Sequence, residues 1–215
     1  MRHLTKALCL GLFLTSCGPL YESDLGARFT EVAGQLSGLG PDAAPAPPTL
    51  SPEVATAAPG DVLLVKILAR DAVAPMTKVA QNGGAITWIS PGKVTMSFED
   101  GILVGTRGLE DDLMGVDALG VRAALNAGGG EAMRRQSFLT SEDQIVTRDL
   151  TCEITSLGPE TLQTIGGARS STKFEEDCTG PALVFKNTYW LAGGEIIRSR
   201  QAVSAGVGFI EVDQL

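Results

Sequence analysis

Histidine is almost missing from this chain, which contains a single one, His3, among its 215 residues. His3 lies in a basic leader that we expect to be removed, so the mature protein has no imidazole. That absence excludes Ser-His-Asp and Cys-His catalysis, histidine-ligated zinc and histidine proton shuttles. The remaining chemistry is that of carboxylate, lysine, tyrosine and serine side chains.

Aromatic and basic residues are also scarce. Aromatics make up 5% of the chain, and 17 basic residues face 25 acidic ones, a net charge of −8. Loss of Arg2 and Lys6 with the leader leaves 15 basic residues and a net charge of −10. An acidic surface with few aromatics argues against a nucleic-acid partner, because binding to phosphates requires basic patches. The length is enough for one domain with a substantial core.

Long hydrophobic runs are absent as well. The apolar run at residues 7–15 has nine residues and is too short to cross a bilayer. Because a short basic stretch precedes it, residues 1–16 are predicted to be a secretory signal peptide.

The end of this run, Leu14-Thr15-Ser16-Cys17, resembles a bacterial lipobox. The resemblance implies that Cys17 is acylated on its thiol, becomes the first residue and is usually acylated on its amino group. Gly18 in place of Asp favours the outer membrane, by similarity to the enterobacterial sorting rule. The alternative is an ordinary export signal with an incidental cysteine. Several acyl chains give stable anchoring where one chain does not.

Residues 17–60 are predicted to be a lipid-anchored tether. Apolar side chains spaced by three and four in residues 21–36 predict a short helix. Residues 38–60 are rich in proline and small residues, a composition typical of an extended linker. Residues 61–215 are then a β-rich periplasmic domain, which begins with the apolar run 61–69, predicted to be a central strand.

The clearest strand pattern is at residues 93–99, where Val94, Met96 and Phe98 alternate with polar residues. Asp100-Gly101 follows, and this pair between apolar strands predicts a type I′ hairpin. Residues 85–90, 93–99 and 102–106 therefore form an antiparallel meander. Further strands are predicted at 132–139, 144–157, 160–175, 182–191, 195–203 and 207–212, with a turn at Gly158-Pro159 and a bulge at Gly166-Gly167.

The predicted fold class is mainly β: an antiparallel meander folded as a sandwich or half-barrel, with the short N-terminal helix and one short internal helix. The internal helix is expected to start with Glu110, Asp111 and Asp112, since acidic residues favour the first turn, and to stop at residues 128–130. The same three carboxylates are also compatible with acid/base chemistry or a divalent metal. The helical interpretation is simpler, so we predict no metal and no cofactor.

Two cysteines remain after Cys17 in the mature chain, Cys152 and Cys178. In an exported protein this count predicts a disulfide between them, although the predicted strands do not place the two side chains together. Two free buried thiols are the alternative. Farther along, Tyr189 and Trp190 lie near Arg198 and Arg200, a combination that can bind sugars or can simply close the edge of a core.

Taken together, these features resemble the YjbF/GfcB family of group 4 capsule and exopolysaccharide lipoproteins. The motifs that carry the resemblance are the lipobox, Thr87-Trp88, the Asp100-Gly101 hairpin, Thr106-Arg107-Gly108-Leu109 followed by Asp112-Leu113, Asn187-Thr188-Tyr189-Trp190, Arg198-Ser199-Arg200-Gln201 and Gly206-Val207-Gly208. The resemblance implies a largely antiparallel β lipoprotein of the outer membrane, encoded with polysaccharide export components and without established enzymatic activity.

We therefore expect a non-enzymatic accessory in exopolysaccharide or capsule production, held by outer-membrane lipid and facing the periplasm. Its partners would be polysaccharide export proteins or the polymer itself. The candidate contact residues are Trp88, Arg107, Tyr189, Trp190, Arg198 and Arg200. The alternatives are a passive envelope scaffold that binds protein partners, and a glycan-modifying enzyme that uses the carboxylates of residues 110–112.

Overall fold

A computed structural model of the chain describes residues 60–139, 142, 144–164 and 167–214. Twelve strands in this part form one antiparallel sheet. They are β1 Val62–Ile67, β2 Ala72–Asn82, β3 Ala85–Ile89, β4 Thr95–Glu99, β5 Ile102–Arg107, β6 Leu113–Asp117, β7 Gly130–Leu139, β8 Ile145–Thr164, β9 Gly167–Gly180, β10 Leu183–Ala192, β11 Glu195–Ser204 and β12 Gly208–Gln214. A 3-10 turn, Leu68–Arg70, follows β1, and one α-helix, α1 Leu119–Ala127, joins β6 to β7.

The strand order is β5-β4-β3-β2-β1-β12-β11-β10-β9-β8-β7-β6, so every neighbour except β1–β12 is also a neighbour in sequence. The two edge strands, β5 and β6, come together through side chains and leave a nearly closed barrel. Thr106 Oγ1 accepts the backbone N–H of Leu113 at 3.0 Å. Arg107 donates to the carbonyl oxygens of Leu113 at 3.2 Å and Met114 at 3.3 Å. Polar side chains of β5 thus close the seam that backbone pairing leaves open.

The predicted antiparallel β architecture is confirmed, and so is the central strand, because β1 lies between β2 and β12. The predicted meander matches β3, β4 and β5. Asp100 and Gly101 have φ values of 46° and 83°, as a type I′ turn requires. The sandwich alternative is wrong for the described residues, since they form a single sheet that curves round on itself.

Two local predictions are wrong. Gly158-Pro159 does not turn the chain: β8 continues through it to Thr164, with a register shift between Ser156 and Gly158. The predicted bulge at Gly166-Gly167 is also misplaced, because β8 ends and β9 begins on either side of residues 165–166.

The internal helix exists but starts later than predicted. Residues 110–112 precede strand β6, and α1 begins at Leu119 and ends before Gly128, whose φ of 89° fits a left-handed C-cap. Its buried face consists of Val121, Ala124 and Leu125. Strand β2 was missed because its last six residues, including the apolar Val79, are all exposed, so they show no period-two pattern. The predicted N-terminal helix, the signal peptide and the tether before Gly60 lie outside the described residues.

The barrel interior is filled by side chains. One apolar cluster surrounds α1 and the β8–β10 strands, and the other lies under the β1–β5 half, around Met76, Trp88 and Phe98. No helix among the described residues has both the length and the apolar character needed to cross a bilayer.

The predicted disulfide is present: the Cys152 and Cys178 sulfur atoms are bonded at 2.00 Å. The two cysteines are direct cross-strand partners on β8 and β9, and both are fully buried. This pairing follows from the true hairpin position, because a turn at Gly158-Pro159 would have placed Cys152 opposite another residue.

Replacing both cysteines by alanine should lower the free energy of unfolding by about 3 kcal/mol, since the bond closes a loop with a sequence separation of 26 residues. Urea unfolding of the oxidised parent and the double variant measures the difference. A reduced parent should unfold near the urea midpoint of the variant. Equal midpoints for parent and variant would show that the bond does not stabilise the fold.

Candidate functional site

A cavity of about 370 Å³ opens at the end of the barrel where the described chain enters at Gly60. Its wall is built from several elements that end or begin there: the start of β1, the β2–β3 and β4–β5 turns, the start of β11 and the end of β12. The volume is at the lower end of the range of small-ligand sites, about 300–1,000 Å³.

The inner wall of this cavity is apolar. It is formed by Leu63, Ile86, Trp88, Phe98, Ile196 and Val212. Trp88 is 5% exposed and belongs to the core of the β1–β5 half, so the cavity reaches the edge of a fixed ring. The Asp100-Gly101 turn packs closely here, because a Cβ atom on Gly101 would lie 2.7 Å from Ile196 Cβ. Any larger residue at position 101 would displace the wall.

The rim of the cavity is polar and carries charges of both signs. Asp100 and Glu195 contribute carboxylates that have no hydrogen bond or ion pair in the described part of the chain. Arg122, on α1, donates from Nη2 to the carbonyl oxygen of Gly194 at 2.7 Å. Its Nη1 is shielded from solvent and has no partner among the described residues. The rim therefore offers two free carboxylate acceptors and one arginine beside an apolar wall.

Arg198 lines the same cavity but is engaged in other contacts. It forms an ion pair with Asp213 and donates to the carbonyl oxygen of Gln163 at 3.2 Å. Of the six predicted contact residues, Trp88 and Arg198 are brought to the cavity.

Trp190 and Arg200 lie on the outer face of the barrel. Trp190 is the cross-strand partner of Arg198, and the ammonium group of Lys173 lies 5.1 Å from its ring centroid. The guanidinium carbon of Arg200 lies 3.8 Å from the ring centroid of Phe209. These residues form a second aromatic and basic surface, separate from the apolar wall of the cavity. Arg107 closes the seam, as described above.

Tyr189 lies inside the barrel, in a polar cluster that the sequence analysis did not find. Its hydroxyl donates to Glu176 Oε2 at 2.7 Å, as does the side-chain amide of Asn187, also at 2.7 Å. Glu176 also pairs with Arg134 at 3.2 Å, and both side chains have 0% exposure. The sequence contains one indication of this cluster. Glu176 is two residues from both Phe174 and Cys178, so its side chain lies on the same buried face of β9.

The buried cluster is electrostatically coupled. Burial and the nearby Glu176 carboxylate raise the pKa of Tyr189 well above its ordinary value, so the hydroxyl stays protonated and acts as a donor. Burial, the largest single influence, lowers the pKa of Arg134, but Glu176 and Tyr189 together outweigh it, so the pKa is raised. With no exposed surface, Tyr189 supports the interior of the barrel, and we leave it out of the proposed contact residues.

Gln201 connects this cluster to the first meander. Its Oε1 accepts the backbone N–H of Leu103 at 2.8 Å, and its Nε2 donates to the carbonyl oxygen of Gly101 at 2.9 Å. The side chain spans the interior from β11 to β5, so it holds the Asp100-Gly101 turn at the cavity.

The carboxylates of residues 111 and 112 build loops at the opposite end of the barrel. Asp112 accepts hydrogen bonds from the Thr106 hydroxyl at 2.7 Å and from the Gly108 backbone at 2.8 Å. The Asp111 carboxylate accepts the backbone N–H of Gly206 at 2.7 Å. These contacts give both residues a structural role in closing the seam and in holding the β11–β12 loop.

The sulfur atoms of Cys152 and Cys178 lie with Glu176 in a group whose ligand atoms are within 4.8 Å of one another. Because the sulfurs are joined in a disulfide, they offer no thiolates to a metal.

Comparison with known proteins gives two matches of different kinds. Residues 26–215 match the model of the family described as "Group 4 capsule polysaccharide lipoprotein gfcB, YjbF". The crystal structure of the hypothetical lipoprotein YmcC from Escherichia coli (K12) superposes with a TM-score of 0.64 at 21% identity, over 74% of this chain and 88% of that one. At this identity the likeness shows the fold alone. No curated protein matches the chain in sequence.

Proposed function

Because the chain belongs to the YjbF family of group 4 capsule polysaccharide lipoproteins, we propose that it is a non-enzymatic accessory of capsule or exopolysaccharide production. It is anchored in the outer membrane through acylated Cys17, with the β domain in the periplasm. The domain contacts the secreted polymer at the end cavity, through Trp88, Arg122 and Arg198. The observation that carries this proposal is the family match over residues 26–215.

The absence of a histidine after His3 supports a role without catalysis. The loop contacts of Asp111 and Asp112 support it further, since these carboxylates hold backbone groups rather than face a cleft. Polymer contact is supported by the cavity, where the apolar wall and the free polar groups of the rim lie together.

A glycan-modifying enzyme is the second candidate, for one reason: Asp100 and Glu195 line one cavity with no partner in the described ranges. Two carboxylates on either side of a sugar are the usual catalytic groups of glycoside hydrolysis. Release of new reducing ends from the purified polymer would favour this candidate over a binding role.

In a strain that lacks this gene, the amount of surface polymer should fall, and a plasmid copy should restore it. Complementation with Arg122→Met should restore less polymer than the parent at equal protein level, because the cavity loses its arginine donor. Arg169→Met is the matched control: Arg169 is exposed on β9 and is not one of the residues that line the cavity. Surface polymer is measured as uronic-acid and total hexose content of washed cells.

If deletion abolishes polymer output while Arg122→Met and the parent are equal, the polymer does not use the cavity. That result would favour the passive scaffold, and crosslinking in the envelope would then identify its protein partners. If deletion leaves polymer output unchanged, the proposed function is wrong.

A further inference from the structure

The end cavity has a composition that selects one class of ligand, and the inference below rests on the proposed contact with polymer. Its rim carries two carboxylates, Asp100 and Glu195, and the Arg122 guanidinium group. Arg198 also lines the cavity, but its side chain shares the outer face of β11 with Arg200. The positive charge of Arg198 is already matched by Asp213. An incoming ligand therefore faces two unpaired carboxylates and one partly free arginine.

This balance disfavours an anionic ligand. Residues 61–215 carry 20 acidic and 14 basic side chains, so the whole domain adds a repulsive field to the local one. A negatively charged sugar would have to approach both free carboxylates of the rim. A sugar hydroxyl, in contrast, donates to a carboxylate and accepts from an arginine.

We infer that the end cavity binds a neutral, hydroxyl-rich saccharide unit, with Asp100 and Glu195 accepting from its hydroxyls and the Arg122 guanidinium donating to one of them through the second N–H of Nη2. The apolar C–H face of the sugar lies against Ile86 and the edge of Trp88. The cavity volume of about 370 Å³ holds one or two sugar rings, not a folded protein segment. The cavity thus recognises neutral units of the polymer and rejects uronic acids.

The two tryptophans make this inference measurable. Trp88 lies in the cavity wall and Trp190 on the outer face. In the Trp190→Phe variant, Trp88 is the only tryptophan of the chain. The protein, expressed from residue 18 so that all described residues are kept, is titrated with maltose, cellobiose and lactose as neutral probes and with digalacturonate as the acidic one.

At least one neutral disaccharide should change Trp88 emission saturably at roughly millimolar concentration. Digalacturonate should bind at least about tenfold more weakly, because it meets the two free carboxylates. Arg122→Met should weaken neutral binding by about tenfold or more, since a hydrogen bond to a charged group is lost. The Arg169→Met control should leave the affinities for the neutral disaccharide and for digalacturonate unchanged.

A charge-removing pair tests the source of the selectivity. Asn tolerates the positive φ of 46° at position 100, so Asp100→Asn keeps the turn. Combined with Glu195→Gln, this substitution should weaken binding of the neutral disaccharide and strengthen binding of digalacturonate. Circular dichroism and urea midpoints equal to those of the parent show that the fold is kept.

If the parent binds digalacturonate more tightly than the neutral disaccharides, the inferred sugar class is wrong and the proposed function is unaffected. No change of Trp88 emission with any of the four probes would overturn saccharide binding at this cavity. The proposed function is judged separately, by polymer output from the deletion strain.

Discussion

Arg134→Met should lower the free energy of unfolding by about 3–5 kcal/mol. That is a large share of the total stability of a domain, which is about 5–15 kcal/mol. The variant leaves the Glu176 carboxylate at 0% exposure without its cationic partner. The hydrogen bonds from Tyr189 and Asn187 remain, at 2.7 Å each, but neither donor carries a charge.

Urea unfolding of the oxidised protein measures this effect, and the neighbouring residue supplies the matched control. Arg135 faces outward and pairs with Asp149 at 2.6 Å, with side-chain exposures of 62% and 55%. Because solvent screens such a pair, Arg135→Met should leave the urea midpoint essentially unchanged. The two variants make the same substitution one residue apart, and each removes one ion pair, buried at Arg134 and exposed at Arg135.

The double variant Arg134→Met with Glu176→Gln should recover most of the lost stability. A neutral amide oxygen still accepts from Tyr189 and Asn187, and no unpaired charge is buried. Arg134 itself is incompletely satisfied, since its Nε and Nη2 have no partner among the described residues. Equal destabilisation by the Arg134 and Arg135 single variants would contradict a dominant role of the buried pair.

The elements that were predicted well are those specified by neighbouring residues. The alternation of Val94, Met96 and Phe98 fixes which face of β4 is buried, and Asp100-Gly101 fixes its turn. Both signals act within a few residues, so no knowledge of the tertiary structure is needed.

Gly158-Pro159 shows where local reasoning fails. The dipeptide is a strong turn signal, yet β8 and β9 pair on both sides of it, from Thr151 to Thr164. The dipeptide forms a local irregularity within β8, where Gly158 has a φ of 92°. The position of the hairpin turn is determined by the pairing of β8 with β9 over their whole length. This single error hid the direct pairing of Cys152 with Cys178.

The candidate site was the least predictable part. Asp100 and Glu195 are nearly 100 positions apart in sequence, and only closure of the sheet brings both to one cavity. Trp88 and Arg198 were singled out for their side-chain type, but their shared position depends on the strand order. Arg122 was missed because only the tertiary structure brings the helix that carries it to the cavity.

Cys17→Ser should move the protein from the membrane fraction to the soluble fraction. Serine cannot form the thioether that carries the diacyl group, so every acyl chain that depends on this residue is lost. Each buried methylene contributes about 0.8 kcal/mol to anchoring, and two or more chains give binding that does not reverse on the time scale of a fractionation. Detergent-free lysis, ultracentrifugation and immunoblotting measure the distribution.

Cys9→Ser is the matched control, since it makes the same chemical change inside the apolar run of the leader. It should leave the protein in the membrane fraction. If Cys17→Ser protein still sediments and 1 M salt does not release it, the anchor is not the lipid on Cys17. Salt at this concentration reduces the Debye length to about 3 Å and screens electrostatic contacts. Protein that sediments but is released by salt would show an electrostatic contact with a membrane partner in addition to the lipid. Full release without salt leaves the acyl chains as the whole anchor, so that the β domain itself contributes no membrane affinity.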